Sequence, residues 1–189
     1  MMFFHLFRRR ARDNRSRRMV AVIECILNQN ARDLGAATYP SMNTKLIQLC
    51  MTYDIGLFQI PCPEMTCLGF LRDRAPGQSI RDVLDTESGR ECCRKLACSV
   101  ADKIESYLEN NSNVLAVLGG NPESPGCAVH YNIGNKNQEL SEKSGVFIQA
   151  LYRELSQRDI HLPFIGIRDC RPEWLASDLY SLEQIFITR

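Results

Sequence analysis

Two prolines bracket one cysteine in Pro61-Cys62-Pro63, directly after the apolar run Ile55-Gly56-Leu57-Phe58-Gln59-Ile60. The run reads as a buried strand of the kind found in parallel sheets. Proline fixes φ and lacks a backbone donor, so neither a strand nor a helix is expected to continue through this stretch. Cys62 is therefore expected on a stiff, extended turn just past a strand, with the carboxylate of Glu64 two residues on. Open α/β sheets bind their ligands at that edge.

The remaining apolar runs supply the other strands. Val20–Glu24 reads as the first, residues 55–60 as the second, Val114–Leu118 as the third and Pro163–Ile167 as the fourth. Helical spacing marks a helix from Ser41 or Asn43 to about Tyr53, a long one from Glu91 to about Leu108, and one around Phe147, Ala150, Leu151 and Leu155. Residues 71–89 are polar and give no clear periodicity, and Thr66-Cys67-Leu68-Gly69-Phe70 is expected to extend the Cys62 loop. Alternating strands and helices predict a three-layer α/β sandwich, a mainly parallel sheet of four to five strands with helices on both faces. Right-handed crossovers place every strand's carboxyl end on one edge. Cys25, Cys62, Cys127 and Cys170 all fall just beyond such ends.

A chain of 189 residues is one domain of ordinary size. Its formal charge of +1 hides an asymmetry. Residues 1–18 hold Arg8, Arg9, Arg10, Arg12, Arg15, Arg17 and Arg18 against one acid, Asp13; without them 16 basic and 21 acidic residues remain, about −5. Residues 1–18 read as a disordered basic arm, or as an anchor for anionic partners, and 19–189 as a single domain. A negative body excludes a phosphate-tracking surface, so no nucleic acid is expected. No run is long enough for a membrane helix, and the apolar start precedes its arginines, the reverse of a secretory signal. Nine cysteines with no such signal predict a cytoplasmic, reducing location without a disulfide framework.

Cys50, Cys92, Cys93 and Cys98 lie in predicted helices and read as small core hydrophobes. Cys62 and Cys127 do not, because their loops are rich in Pro and Gly. The chain lacks the close pairs of a zinc finger or a thioredoxin-like site. Gly119-Gly120-Asn121-Pro122 is a poor dinucleotide loop, since proline withholds donors. A Cys nucleophile served by His130 or His161 stays open. Dispersed thiols on one sheet edge also suit an iron–sulfur cluster with three protein ligands, leaving one iron as an open Lewis acid.

Cys25-Ile26-Leu27-Asn28-Gln29-Asn30, Pro61-Cys62-Pro63-Glu64 and Ser124-Pro125-Gly126-Cys127, in this order and each after a strand, resemble the thiouracil desulfidase family. They resemble in particular its branch with a Cys-x-Leu-Asn-Gln-Asn motif. The likeness spans about residues 20–170. It implies a [4Fe-4S] cluster held by Cys25, Cys62 and Cys127, whose fourth iron accepts sulfur while water replaces it on carbon. It further implies that Glu64 positions or deprotonates that water and that Ser124 holds the substrate or departing sulfide. The substrate would be a small thio-substituted, thiouracil-like molecule. Two departures bear on substrate identity: Ser-Pro-Gly-Cys-Ala replaces the usual Ser-Pro-Ser-Cys-Gly, and residues 28–33 replace an Arg-Tyr-Asp-Gly stretch. The competing expectation is a non-catalytic Fe–S or metal-binding sensory module, its fourth ligand Cys67 or Cys170. A purely structural Glu64 would cap a turn or pair with Arg72 or Arg74.

Overall fold

The structure, a computed structural model, describes residues 13–132 and 139–188. Four parallel strands, β1 (Arg18–Ile23), β2 (Gly56–Ile60), β3 (Asn113–Gly119) and β4 (Phe164–Gly166), form a sheet in the order β2-β1-β3-β4. The chain steps from β1 to β2 in one direction and from β3 to β4 in the other. Right-handed crossovers therefore put the intervening helices on opposite faces. One face carries α2 (Thr44–Thr52) and the C-terminal α7 (Pro172–Thr188), which pack together; the other carries α5 (Glu87–Glu109) against α6 (Val146–Gln157). The result is the expected three-layer α/β sandwich. Its core is the sheet's centre, Val20–Ile23 and Val114–Leu118, all buried, with Ile104, Phe147, Leu151, Leu182 and Phe186 from the helices.

Several local expectations change. β2 is an edge strand, and Gly56, Leu57 and Gln59 are exposed, so its apolar run is not wrapped on both sides. Phe58 is covered by Tyr107 of α5, ring centroids 6.0 Å apart. Pro63 does not block a helix; it starts one, α3 (Pro63–Leu68). The first helical position needs no N–H, and proline's fixed φ suits it. Residues 66–68 thus belong to α3 and not to an extended loop. The polar stretch before α5 contains α4 (Ile80–Leu84), opened by a capping box in which Ser79 and Asp82 each bond the other's backbone N–H. α5 itself begins at Glu87, earlier than the periodicity predicts, with Thr86 as its cap. α7 was missed altogether, although Leu175, Leu179, Leu182 and Phe186 recur at helical spacing.

Most of the predicted arm, residues 1–12, lies outside the described residues. Arg18 belongs to β1, opposite Asn113 of β3. Its guanidinium donates to the carbonyl of Tyr53 at 3.3 Å and to that of Phe186, tying α2 and α7 to the sheet. A chain beginning at Met19 is expected to fold but to be about 1–3 kcal/mol less stable than one beginning at Asp13, the worth of hydrogen bonds from a charged donor. Paired urea titrations measure this, and equal midpoints would show that Arg18 contributes nothing.

Candidate functional site

β1 and β3 are neighbours whose outgoing connections run to opposite sides, which opens a crevice at their carboxyl ends. A cleft of about 560 Å³ lies there, lined by Cys25, Cys62, Glu64, Ser124 and Cys127, all five of the predicted site residues. Arg32, Arg72, Asn121, Cys170 and Trp174 also line it.

Each thiol arrives by its own route. Cys25 does not close β1; it sits in the short helix α1 (Glu24–Leu27) that follows directly. Glu24 reaches across to accept the Cys62 backbone N–H at 2.8 Å, which fixes the Cys62 turn to the end of β1. Cys62 then caps α3, placing Glu64 in that helix's first turn. Cys127 ends the Gly/Pro-rich loop after β3. The Gly120 N–H donates to the Cys127 carbonyl at 2.8 Å, and the Cys127 N–H donates to Ser124 Oγ at 3.2 Å.

Ser124 is the junction of the site. Its hydroxyl lies 3.2 Å from Glu64 Oε1 as donor and 3.0 Å from Cys127 Sγ. Glu64 is buried, and its second oxygen, Oε2, faces Arg72 Nε at 3.7 Å. Arg72 Nη2 stands 3.8 Å from Cys62 Sγ.

The thiols influence one another. The Cys127 thiol donates to Cys25, which holds Cys25 below the ordinary thiol value; the Arg32 cation helps and burial opposes it. The same bond, with burial and the charges of Cys25 and Glu64, drives Cys127 well above it. Burial pushes Cys62 up to about 11, and the charges of Glu64 and Cys25 add to that. The site thus favours one thiolate and resists three, unless a cation or metal compensates. Among the described residues no group of three or more His, Cys, Asp or Glu side chains is placed to hold a metal ion.

Residues that the sequence did not single out brace this edge. Arg32 grips Asp169 through Nη2, at 2.8 Å from both carboxylate oxygens, and both side chains are buried. Asn121 donates to Asp169 at 3.0 Å and accepts the Cys170 N–H at 3.1 Å. Gln29 is buried and donates to the Cys25 carbonyl at 2.9 Å, so its role is to hold the loop. Trp174 lies under the Arg171 guanidinium, 4.5 Å from its ring centroid. The histidine alternative is not assembled. His130 pairs with the Pro122 carbonyl at 2.8 Å and His161 with Asp159, and neither lines the cleft.

Two further expectations are corrected. Cys67 and Cys92 form a disulfide between α3 and α5, with Cα atoms 5.8 Å apart. Cys67 is therefore not a free fourth ligand, and Cys92 is not a simple core hydrophobe. The reason lies in packing, because α3 lies against the first turns of α5 at a separation a disulfide spans.

Comparison with known proteins finds a distant relative. An uncharacterized protein of Methanocaldococcus jannaschii is 26% identical over 148 residues, covering 77% of this chain and 91% of that protein. No known family profile matches the chain, and no solved structure matches it.

Gly126 is closely packed. A Cβ there would lie 2.7 Å from Pro63 Cγ and 3.4 Å from Glu64 Cγ, so any larger residue would have to push the Pro63 ring aside. Gly145, the N-cap of α6, is tighter: a Cβ would lie 2.3 Å from the carbonyl carbon and oxygen of Gly126 and 2.4 Å from the Cys127 nitrogen. Gly145→Ala is expected to cost about 1–3 kcal/mol, as overpacking does, and to displace the Cys127 loop. Urea titration measures the first effect and the alkylation pattern of Cys127 the second. An unchanged midpoint would mean that the loop gives way freely.

Proposed function

We propose that the protein is a [4Fe-4S]-dependent desulfidase that removes sulfur from a small thiocarbonyl compound by non-redox hydrolysis. The observation that carries this reading is the meeting of Cys25, Cys62, Cys127, Glu64 and Ser124 in one cleft at the point where β1 and β3 diverge. The donor set is of the right kind for such a cluster: three thiols line the cleft, and the Arg32 and Arg72 charges would offset the thiolates. The thiols are not placed to hold a metal in this structure, so binding requires them to rearrange. When bound, the cluster would supply an iron that accepts sulfur.

The chain's own groups then have distinct tasks. Glu64 takes a proton from the attacking water. Ser124 keeps Glu64 oriented through Oε1 and bonds the substrate or the departing sulfide. The products are a carbonyl compound and hydrogen sulfide, so no electrons enter or leave. We assign the activity to the cytoplasm; the Cys67–Cys92 bond is then an exception to the usual reduced state of thiols there.

The test is anaerobic isolation, assay of iron and acid-labile sulfide, and then sulfide release from 2-thiouracil and simple thioamides. Iron in cluster amounts with catalytic release supports the reading. A chain that binds no iron under these conditions overturns it.

One observation favours a second reading, a non-catalytic cluster module. Cys170 is exposed, free and lines the same cleft, so it can serve as a fourth ligand. Loss of iron in Cys170→Ser, with no sulfide release by the parent, would select that reading.

A further inference from the structure

Arg72 is 2% exposed, yet it follows an exposed Phe70-Leu71 pair on the surface. Its backbone has φ +53°, a conformation that side-chain-bearing residues rarely adopt. Gly69, with φ +77°, begins the same reversal. The strained turn points Phe70 and Leu71 outward and sends the guanidinium in. There the Nη atoms are anchored on backbone: Nη1 donates to the Phe70 carbonyl at 2.6 Å and Nη2 to that of Ala31. The Nε–H alone has no acceptor within hydrogen-bond distance, although the atom is fully buried. Glu64 Oε2, 3.7 Å away, is too far for a direct bond. An orphaned buried donor is costly, and a polar pair separated by more than 3.5 Å is commonly bridged.

We propose that Arg72 Nε–H and the Glu64 carboxylate together hold the water that attacks the substrate carbon. This deepens the desulfidase reading and rests on it. The water accepts from Nε and donates to Oε2, which leaves its second lone pair free to face the cleft. As the oxygen–carbon bond forms, Glu64 takes the water's proton. The carbon–sulfur bond then breaks with its electron pair going to sulfur, both protons of the water pass to that sulfur by way of Glu64 in turn, and the sum is thiocarbonyl plus water giving carbonyl plus hydrogen sulfide. Arg72 is a positioning residue for the nucleophile, and its two backbone anchors are what make the position exact. Lysine has one donor point and cannot satisfy both carbonyls and the water.

The test has two arms. The first is an atomic-resolution crystal structure of the metal-free chain. It should show an ordered water within hydrogen-bond distance of both Arg72 Nε and Glu64 Oε2, and a direct Nε–Oε2 bond with no such water would overturn the proposal. The second compares Arg72→Lys and Arg72→Gln with the parent after anaerobic cluster loading. Misplacing a nucleophile by about 1 Å costs on the order of 10²-fold, so kcat should fall by about that factor with KM nearly unchanged. Unchanged kcat in a folded Arg72→Lys chain would overturn the proposal. If the bridging water is present but the parent releases no sulfide, the desulfidase reading fails and the water site stands. Should neither variant fold, the first arm decides alone.

Discussion

Glu64→Gln is expected to leave the iron content of the anaerobically loaded protein unchanged and to reduce sulfide release about 10²–10⁴-fold, the usual worth of a positioned general base. Glutamine keeps the volume of a side chain that is 9% exposed, so the cleft keeps its shape. It also keeps an oxygen to accept the Ser124 hydroxyl, now 3.2 Å from Oε1. That choice turns the amide nitrogen toward Arg72 Nε, setting a donor against a donor where Oε2 stood at 3.7 Å. A modest loss of stability is therefore expected beside the large loss of rate. Parallel measurement of iron, urea midpoint and turnover separates the cases. Full turnover with normal iron would clear Glu64 of the role, and loss of iron would make it structural.

Cys92→Ser is expected to lower stability by about 2–4 kcal/mol, since the Cys67–Cys92 bond closes a stretch of 25 residues. The effect should not stop at stability. The bond anchors α3, whose first turn carries Glu64 and whose N-cap is Cys62. α3 has only six residues and cannot hold that geometry by helix propensity alone. A loosened Cys62 turn should then be alkylated faster in the metal-free chain. The control is simple: reductant should shift the parent's urea midpoint to that of the variant and leave the variant's own midpoint alone. A parent indifferent to reductant would mean that the bond adds nothing to the folded state.

The strands were readable because four apolar runs are each stopped by polar or turn residues, and their common direction follows from the helices between them. Cysteines placed just after those runs were bound to share one edge, and Cys25, Cys62 and Cys127 do line one cleft. Proline was ambiguous at Pro63, since the same ring that breaks a helix interior favours its first position. Arg72 was readable as a partner for Glu64, but its burial was not, because only the backbone's left-handed turn sends it inward while Phe70 and Leu71 face out. Asp169 was visible as an acid after the fourth strand, but its grip on Arg32 joins loops far apart in the chain. The Cys67–Cys92 pairing was equally hidden, depending on how α3 lies against α5.

The register of β1 has a consequence in time. Arg18 at its start pairs with Asn113, and Ile23 at its end pairs with Ile60. β1 is thus the first strand synthesised but keeps one side open until β3 docks, and pairings so distant in the chain are intrinsically slow. Cys25 leaves the ribosome early, yet meets Cys127 only when β3 docks. Helical circular dichroism should accordingly recover faster on refolding than the ability to crosslink Cys25 to Cys127, and simultaneous recovery would refute that order. Whatever ligand needs all three thiols must wait for the finished sheet, so its loading is a late, separate event in the life of the chain.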